Sequence, residues 1–211
     1  MDERLNNHIL LCGVPAAAPV FSHQSRGERF FSVWLDVPRL SGTVDRLPVV
    51  LRESLLALLP SSLRERIVIR GELRSFNNRS GVGRKLVISV FTREIRPAEN
   101  AGWENRVSLA GTLCRQPLHR FTPLGREITD LMLAVNRPYG RSDYLPCIVW
   151  GQNARLAAQW SAGHPVRLRG RFQSREYVKA SEGAALSHTA YEVSVSEIEA
   201  VEAEIIYSES V

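Results

Sequence analysis

The sequence predicts an all-β protein built from two small, similar barrels in tandem. Two observations carry this expectation. The chain repeats itself at about half its length, and within each half short apolar runs alternate with polar residues between Gly and Pro breaks. A length of 211 residues leaves room for two domains, each near the common size of about 100 residues.

The repeat is read directly. At a displacement of 98 residues, Asn7-His8-Ile9-Leu10-Leu11-Cys12-Gly13 lies over Asn105-Arg106-Val107-Ser108-Leu109-Ala110-Gly111. Pro19 then matches Pro117 and Gly27 matches Gly125. Val37, Arg39, Gly42, Asp45, Leu47 and Pro48 match Val135, Arg137, Gly140, Asp143, Leu145 and Pro146. At a displacement of 99, Arg70-Gly71 falls on Arg169-Gly170. Such register over several elements implies two homologous units, 5–97 and 105–200. The polar stretch 98–104 joins them and a short acidic tail, 201–211, follows.

Each half reads mostly as strand. In the second half, strands are expected around 107–111, 130–135 and 144–150. A short helix over about 153–160, a long alternating run over 165–179 and a last strand around 190–195 come next. The first half has the same order, with a helix over about 52–59 ending at Pro60 and late strands over 66–76 and 85–91. Five strands with one short helix after the third is the order of an OB-fold, a Greek-key barrel that often binds oligonucleotides.

Composition narrows the function. Hydrophobic residues make up 44% and charged residues 23% of the chain, ordinary for a globular protein. No apolar run approaches the length of a membrane span, and the start of the chain does not resemble a signal peptide, so a bacterial cytoplasmic location is expected. Cys12, Cys114 and Cys147 form no CxxC pair, which argues against a disulfide framework, a metal site or a redox role. His8, His23, His119, His164 and His188 are scattered without metal-ligand spacing, and no nucleophile–base order stands out. Neither catalysis nor a cofactor is expected.

The formal charge is +5, and only Lys85 and Lys179 among the basic residues are lysines. Arginine forks onto phosphates and stacks flat on bases, which lysine cannot do. The stretch from Glu192 onward holds glutamates and no basic residue, so the remainder is more basic than the total.

The strongest signal for a nucleic-acid face is the run 166–179. Side chains alternate between the two faces of a strand. Val166, Leu168, Gly170, Phe172 and Ser174 take one face, fit for a barrel interior. Arg167, Arg169, Arg171, Gln173, Arg175, Tyr177 and Lys179 take the other, with no acid among them. In the preceding strand, Leu145, Cys147 and Val149 share the core parity, while Tyr144 and Trp150 share the opposite one. The loop 136–143 adds Tyr139 between Arg137 and Arg141. Rings beside a basic groove are the means by which single-strand binders hold bases and backbone.

These motifs, Leu133 to Pro138, Asp143 to Gly151 and Gly170 to Tyr177, together with Asn105 to Gly111 and Phe121 to Gly125, resemble the bacterial single-stranded DNA-binding protein family over about 105–200. The resemblance implies an OB-fold that coats single-stranded DNA in replication, recombination and repair. It places the stacking rings at Tyr139, Tyr144, Trp150 and Tyr177. The expected DNA-binding set is therefore Arg137, Tyr139, Arg141, Tyr144, Trp150, Arg169, Arg171, Arg175, Tyr177 and Lys179.

The first half departs from this pattern. By the repeat, Tyr139, Tyr144, Trp150 and Tyr177 become Ser41, Arg46, Arg52 and Asn78, and Phe76 is the aromatic left nearby. Arg46, Arg52, Arg70, Arg74, Phe76, Arg79, Arg84 and Lys85 form a secondary candidate set. The first barrel either adds electrostatic affinity or serves only assembly. The hairpin 77–85 has Gly and Lys but not the GxxxxGK[ST] phosphate loop. The chain's last residues also lack the aspartate-proline-phenylalanine style of ending that the family uses to recruit replication and repair proteins. Typical members are tetramers of one barrel per chain, so two barrels per chain imply a homodimer with four barrels. The alternative function is a protein-interaction scaffold of a primosome-like or mobile-element complex.

Overall fold

A computed structural model describes residues 6–78, 85–99, 101–138, 140–181 and 184–202, with side chains from 178 to 186 outside the description. The first half contains β1 (Asn7–Pro15), β2 (Val20–Ser25), β3 (Glu28–Pro38), β4 (Val44–Arg52), a 3-10 helix (Glu53–Leu58), β5 (Ile67–Asn77) and β6 (Leu86–Pro97). The second contains β7 (Asn105–Leu113), β8 (Leu118–Phe121), β9 (Glu127–Arg137), β10 (Arg141–Trp150), α1 (Gly151–Ala158), β11 (Pro165–Ser181) and β12 (Ala184–Ala200).

Each half closes into an OB-fold barrel. The order is β3-β4-β6-β5-β1 in the first half, closed by β1–β3, and β9-β10-β12-β11-β7 in the second, closed by β7–β9. The β4–β6 and β10–β12 pairings are parallel; the others are antiparallel. The extra strands β2 and β8 are short edges paired to β3 and β9 alone. All their residues are exposed, so they carry none of the apolar alternation that announces a half-buried strand. That is why a reading of five strands per half passed over them. The first half's helical turn is a 3-10 helix without a buried residue, whereas α1 buries Ala154 and Ala157.

The glycines of the repeat are explained by close approach. In both barrels the register shifts at the Arg-Gly pair, between Arg70 and Gly71 on β5 and between Arg169 and Gly170 on β11. A Cβ at Gly71 would overlap the carbonyl oxygen of Phe91, and one at Gly170 that of Ser194. Just beyond each bulge a side-chain amide takes over from the ladder. Asn7 accepts from the Leu73 amide at 2.9 Å and donates to the Leu73 carbonyl at 2.8 Å. Asn105 does the same with Phe172 at 2.9 and 2.8 Å.

The barrels are joined edge to edge. β1 pairs antiparallel with β7, with Ile9 opposite Val107, Asn7 opposite Leu109 and Leu11 opposite Asn105. Since these are repeat-equivalent residues, the junction has a local pseudo-twofold axis. It makes one sheet of twelve strands and one apolar core that includes Ile9, Leu11, Leu35, Leu47, Leu109, Leu133 and Phe172.

Two buried carboxylates clasp the barrels together. Asp45 of the first accepts the Ser174 amide of the second at 2.7 Å. It also accepts both Arg39 nitrogens, at 2.7 and 2.6 Å, and Arg39 donates to the Ser174 carbonyl at 2.7 Å. The mirror arrangement has Asp143 accepting the Ser75 amide at 2.5 Å and Arg137 Nε at 2.6 Å, with Arg137 donating to the Ser75 carbonyl at 3.0 Å. Both carboxylates are fully buried, and burying a charge costs several kcal/mol, roughly, unless it is paired and hydrogen-bonded. Each is.

Candidate nucleic-acid interface

The parity expected for β10 and β11 is observed. Leu145, Cys147, Val149, Val166, Leu168 and Phe172 are buried, and Tyr144, Trp150, Arg169, Arg171, Arg175 and Tyr177 are exposed. Trp150 ends β10 with its ring 37% exposed, and its Nε1 donates to Ser194 Oγ at 3.1 Å. Ser194 of β12 lies opposite Arg171 of β11, so ring, hydroxyl and guanidinium form a row across three strands. Trp150, Arg169 and Arg171 line one groove of about 830 Å³, together with Arg106 of β7 and Arg126 before β9. The first barrel contributes Arg39, Leu40 and Ser41, at the turn between β3 and β4, to the same lining.

Other candidates lie elsewhere. Tyr144 and Tyr177 are 46% and 37% exposed but are not among the groove's lining residues. The Tyr144 amide donates to Ser75 Oγ at 2.7 Å, beside the clasp. Tyr177 packs near His188, with centroids 5.6 Å apart, and under the Arg175 guanidinium at 5.7 Å. Arg141 is exposed at the start of β10, opposite Arg137. Tyr139 lies outside the described residues, as do Arg79 and Arg84. Lys179 lies within β11, but its side chain is outside the description.

Charge pairing differs from the expectation of an acid-free ladder. No acid interrupts the basic face of β11, but β12 supplies acids from across the hairpin. Arg167 meets Glu199 at 3.7 Å, Arg169 meets Glu197 at 3.4 Å and Arg175 meets Glu192 at 3.2 Å. The acidic stretch from Glu192 is thus a partner strand as far as Ala200. Exposed pairs of this kind contribute roughly 0–1 kcal/mol each, so an incoming phosphate can displace them. Among the described residues Arg171 and Arg126 have no ion-pair partner. Glu197 is the one carboxylate lining the groove.

Arg137 and Arg74 are in a different position from the rest. Arg137 is committed to Asp143, and Arg74 reaches the same carboxylate at 2.9 Å while also pairing with Glu72. Burial lowers the Arg74 pKa, the Asp143 hydrogen bond opposing it. Both arginines face inward to a buried charge rather than outward. In the first barrel Arg46 is held two-pronged by Asp36 at 2.8 and 2.9 Å, Arg52 faces Glu28 at 3.4 Å and Arg70 faces Glu94 at 3.8 Å. Phe76 is 56% exposed and Lys85 is exposed. Phe76 is not the only ring near that face. Phe91, opposite Glu72 on β6, lies under the guanidiniums of Arg93 at 4.9 Å and Arg52 at 5.7 Å.

The groove residues that the sequence reading missed are Arg106, Arg126, Ser194 and Leu40. Arg106 stood within the quoted repeat without a role, and Arg126 follows the turn glycine Gly125. Leu40 gave no signal, because its contribution depends on how the barrels are set against each other.

Comparison with known proteins finds relatives for this chain. The family described as the single-strand binding protein family matches residues 104–201. The single-stranded DNA-binding protein of Halalkalibacterium halodurans is 38% identical over 80 residues, covering 35% of this chain and 48% of that protein. That of Clostridium tetani is 38% identical over 80 residues, covering 35% and 55%. The matched segment spans about half the length of these relatives. Among solved structures, wild-type single-stranded DNA binding protein from Thermus aquaticus aligns over 93% of both chains with a TM-score of 0.69 at 24% identity, a likeness of fold covering both barrels.

Proposed function

We propose that the protein binds single-stranded DNA without sequence preference and without catalysis, its second barrel, residues 104–201, being the part that matches the single-strand binding protein family. The observation that carries the reading is the row Trp150–Ser194–Arg171 in an open basic groove. An indole held at its edge keeps a face available for a base, and every base has a π-face, so the contact tolerates any sequence. Arg126, Arg169, Arg171 and Arg106 take the phosphates. Tyr144, Arg141, Arg175, Tyr177, Lys179 and Tyr139 extend the strand's path along β10, the β9–β10 loop and the β11–β12 hairpin. Arg137 and Arg74 act as clasp residues in this reading. The first barrel adds charge through Arg46, Arg52, Arg70, Lys85, Arg79 and Arg84, with Phe76 as its exposed ring.

The setting we infer is the bacterial cytoplasm, in replication, recombination or repair, with two chains associating to give four barrels. The test is a titration of the intact protein with oligo-dT over a series of salt concentrations, following tryptophan fluorescence. The reading expects quenching, and an affinity that falls with salt with a slope of about −0.7 per phosphate neutralised. Absence of binding at low salt would remove the reading and leave the interaction scaffold in its place.

A further inference from the structure

The groove beside Trp150 belongs to both barrels, and the geometry points to a composite site in which the β3–β4 turn of the first barrel closes over a DNA strand lying on the second. This rests on the proposed single-strand binding. It goes further, because it gives the first barrel a direct part in the strand's path through a turn that holds no aromatic residue.

The turn is built to hold its position. Arg39 donates its amide to the Thr43 carbonyl at 2.7 Å, and Gly42 closes back onto the Arg39 carbonyl at 3.0 Å. Gly42 has φ of +86°, a conformation that a residue with a Cβ rarely takes. The base of the turn is fixed to the second barrel, since Arg39 binds Asp45 and the Ser174 carbonyl together. Leu40 projects from this anchored turn 99% exposed. An exposed leucine alone means little; here its place matters, because Leu40 and Ser41 line the same groove as Trp150, Arg126 and Arg171. The groove lining therefore combines an indole, an aliphatic side chain, a hydroxyl and several guanidiniums. That is the chemistry of an unpaired nucleotide: apolar surfaces for the base, cations for the phosphate. Arg126 and Arg171 are the lining guanidiniums without an ion-pair partner among the described residues, while Arg106 and Arg169 hold exposed pairs with Glu104 and Glu197, so cationic groups are on hand for a phosphate.

The test uses the full chain with Cys114→Ser, which removes the exposed cysteine; Cys12 and Cys147 are buried. Into this background Leu40→Cys is introduced. Its thiol labelling rate is measured with and without oligo-dT, at a salt concentration where anisotropy of a labelled oligonucleotide shows saturation. The inference expects DNA to slow labelling at position 40 by about fivefold or more, as burial against a base would. It also expects Leu40→Asp to weaken binding by about five- to tenfold, through lost apolar contact and added repulsion of phosphate. Saturating DNA with an unchanged labelling rate would overturn the composite groove while leaving binding at Trp150 intact. A protein that does not bind the oligonucleotide at all would bring down the underlying reading, and the groove with it.

Discussion

The backbone amide of Ser75, in the first barrel, donates to the carboxylate of Asp143, in the second, at 2.5 Å. The same bond recurs from Ser174 to Asp45 at 2.7 Å. These reciprocal contacts make each barrel complete the hydrogen bonding of the other, and through Arg39 they tie the base of the β3–β4 turn to the second barrel.

The clasp predicts a specific sensitivity. Asp143→Ala leaves Arg137 and Arg74 facing a partly buried site without their counter-charge, and breaking such a pair costs about 3–5 kcal/mol. Asp143→Asn keeps an acceptor for the Ser75 amide and should cost less. Denaturant unfolding checks both. An alanine variant within about 0.5 kcal/mol of the parent would show that the clasp is not a stabilising element.

The bulge glycines predict a second effect. Gly71→Ala and Gly170→Ala each force a methyl into a neighbouring strand's carbonyl, and overpacking of this kind typically costs about 1–3 kcal/mol. Gly102→Ala, with nothing near its added carbon, serves as the control and should stay within about 0.5 kcal/mol. Thermal melts of the three variants compare them directly.

His8 predicts a pH effect. Burial, and then the nearby Arg70, hold its imidazole below the ordinary 6.5, so the unfolded chain binds the proton more readily than the folded one. The His8 contribution is therefore fully present above that ordinary value and is lost as pH falls through the window beneath it. His8→Gln should flatten the stability profile between about pH 7 and about pH 5. A profile as steep as the parent's would assign the acid sensitivity to other groups.

What the sequence made legible follows from where each signal lives. The barrels were legible because alternation and repeat spacing are local: Val166, Leu168 and Phe172 had to face inward whatever surrounded them. The two edge strands, Val20–Ser25 and Leu118–Phe121, were not, since they bury nothing. The extent of β12 was also hidden: a strand was expected around 190–195, whereas it runs from Ala184 to Ala200, its later glutamates pairing across the hairpin with arginines instead of following an apolar alternation. The repeat recorded the clasp too, matching Arg39 and Asp45 to Arg137 and Asp143. The partner of each pair is on the other barrel, however, and a single strand's pattern cannot show it. Arg137 therefore read as a phosphate contact when its nearest charge is buried beside it. Trp150 and Arg171 were legible as exposed groups on the two strands that flank β12; Leu40 was not, as it shares their groove only through the packing of two domains.

The measurement that bears most directly on the central claim is a salt-series titration of oligo-dT against the parent and Trp150→Ala, read by anisotropy of the labelled oligonucleotide. Loss of one stacked base predicts weaker binding by about 1–3 kcal/mol at every salt concentration, with the salt slope unchanged because the phosphate contacts remain. Equal affinities for the two proteins across the series would contradict the assignment of Trp150 as the stacking platform, and with it the groove as the DNA site.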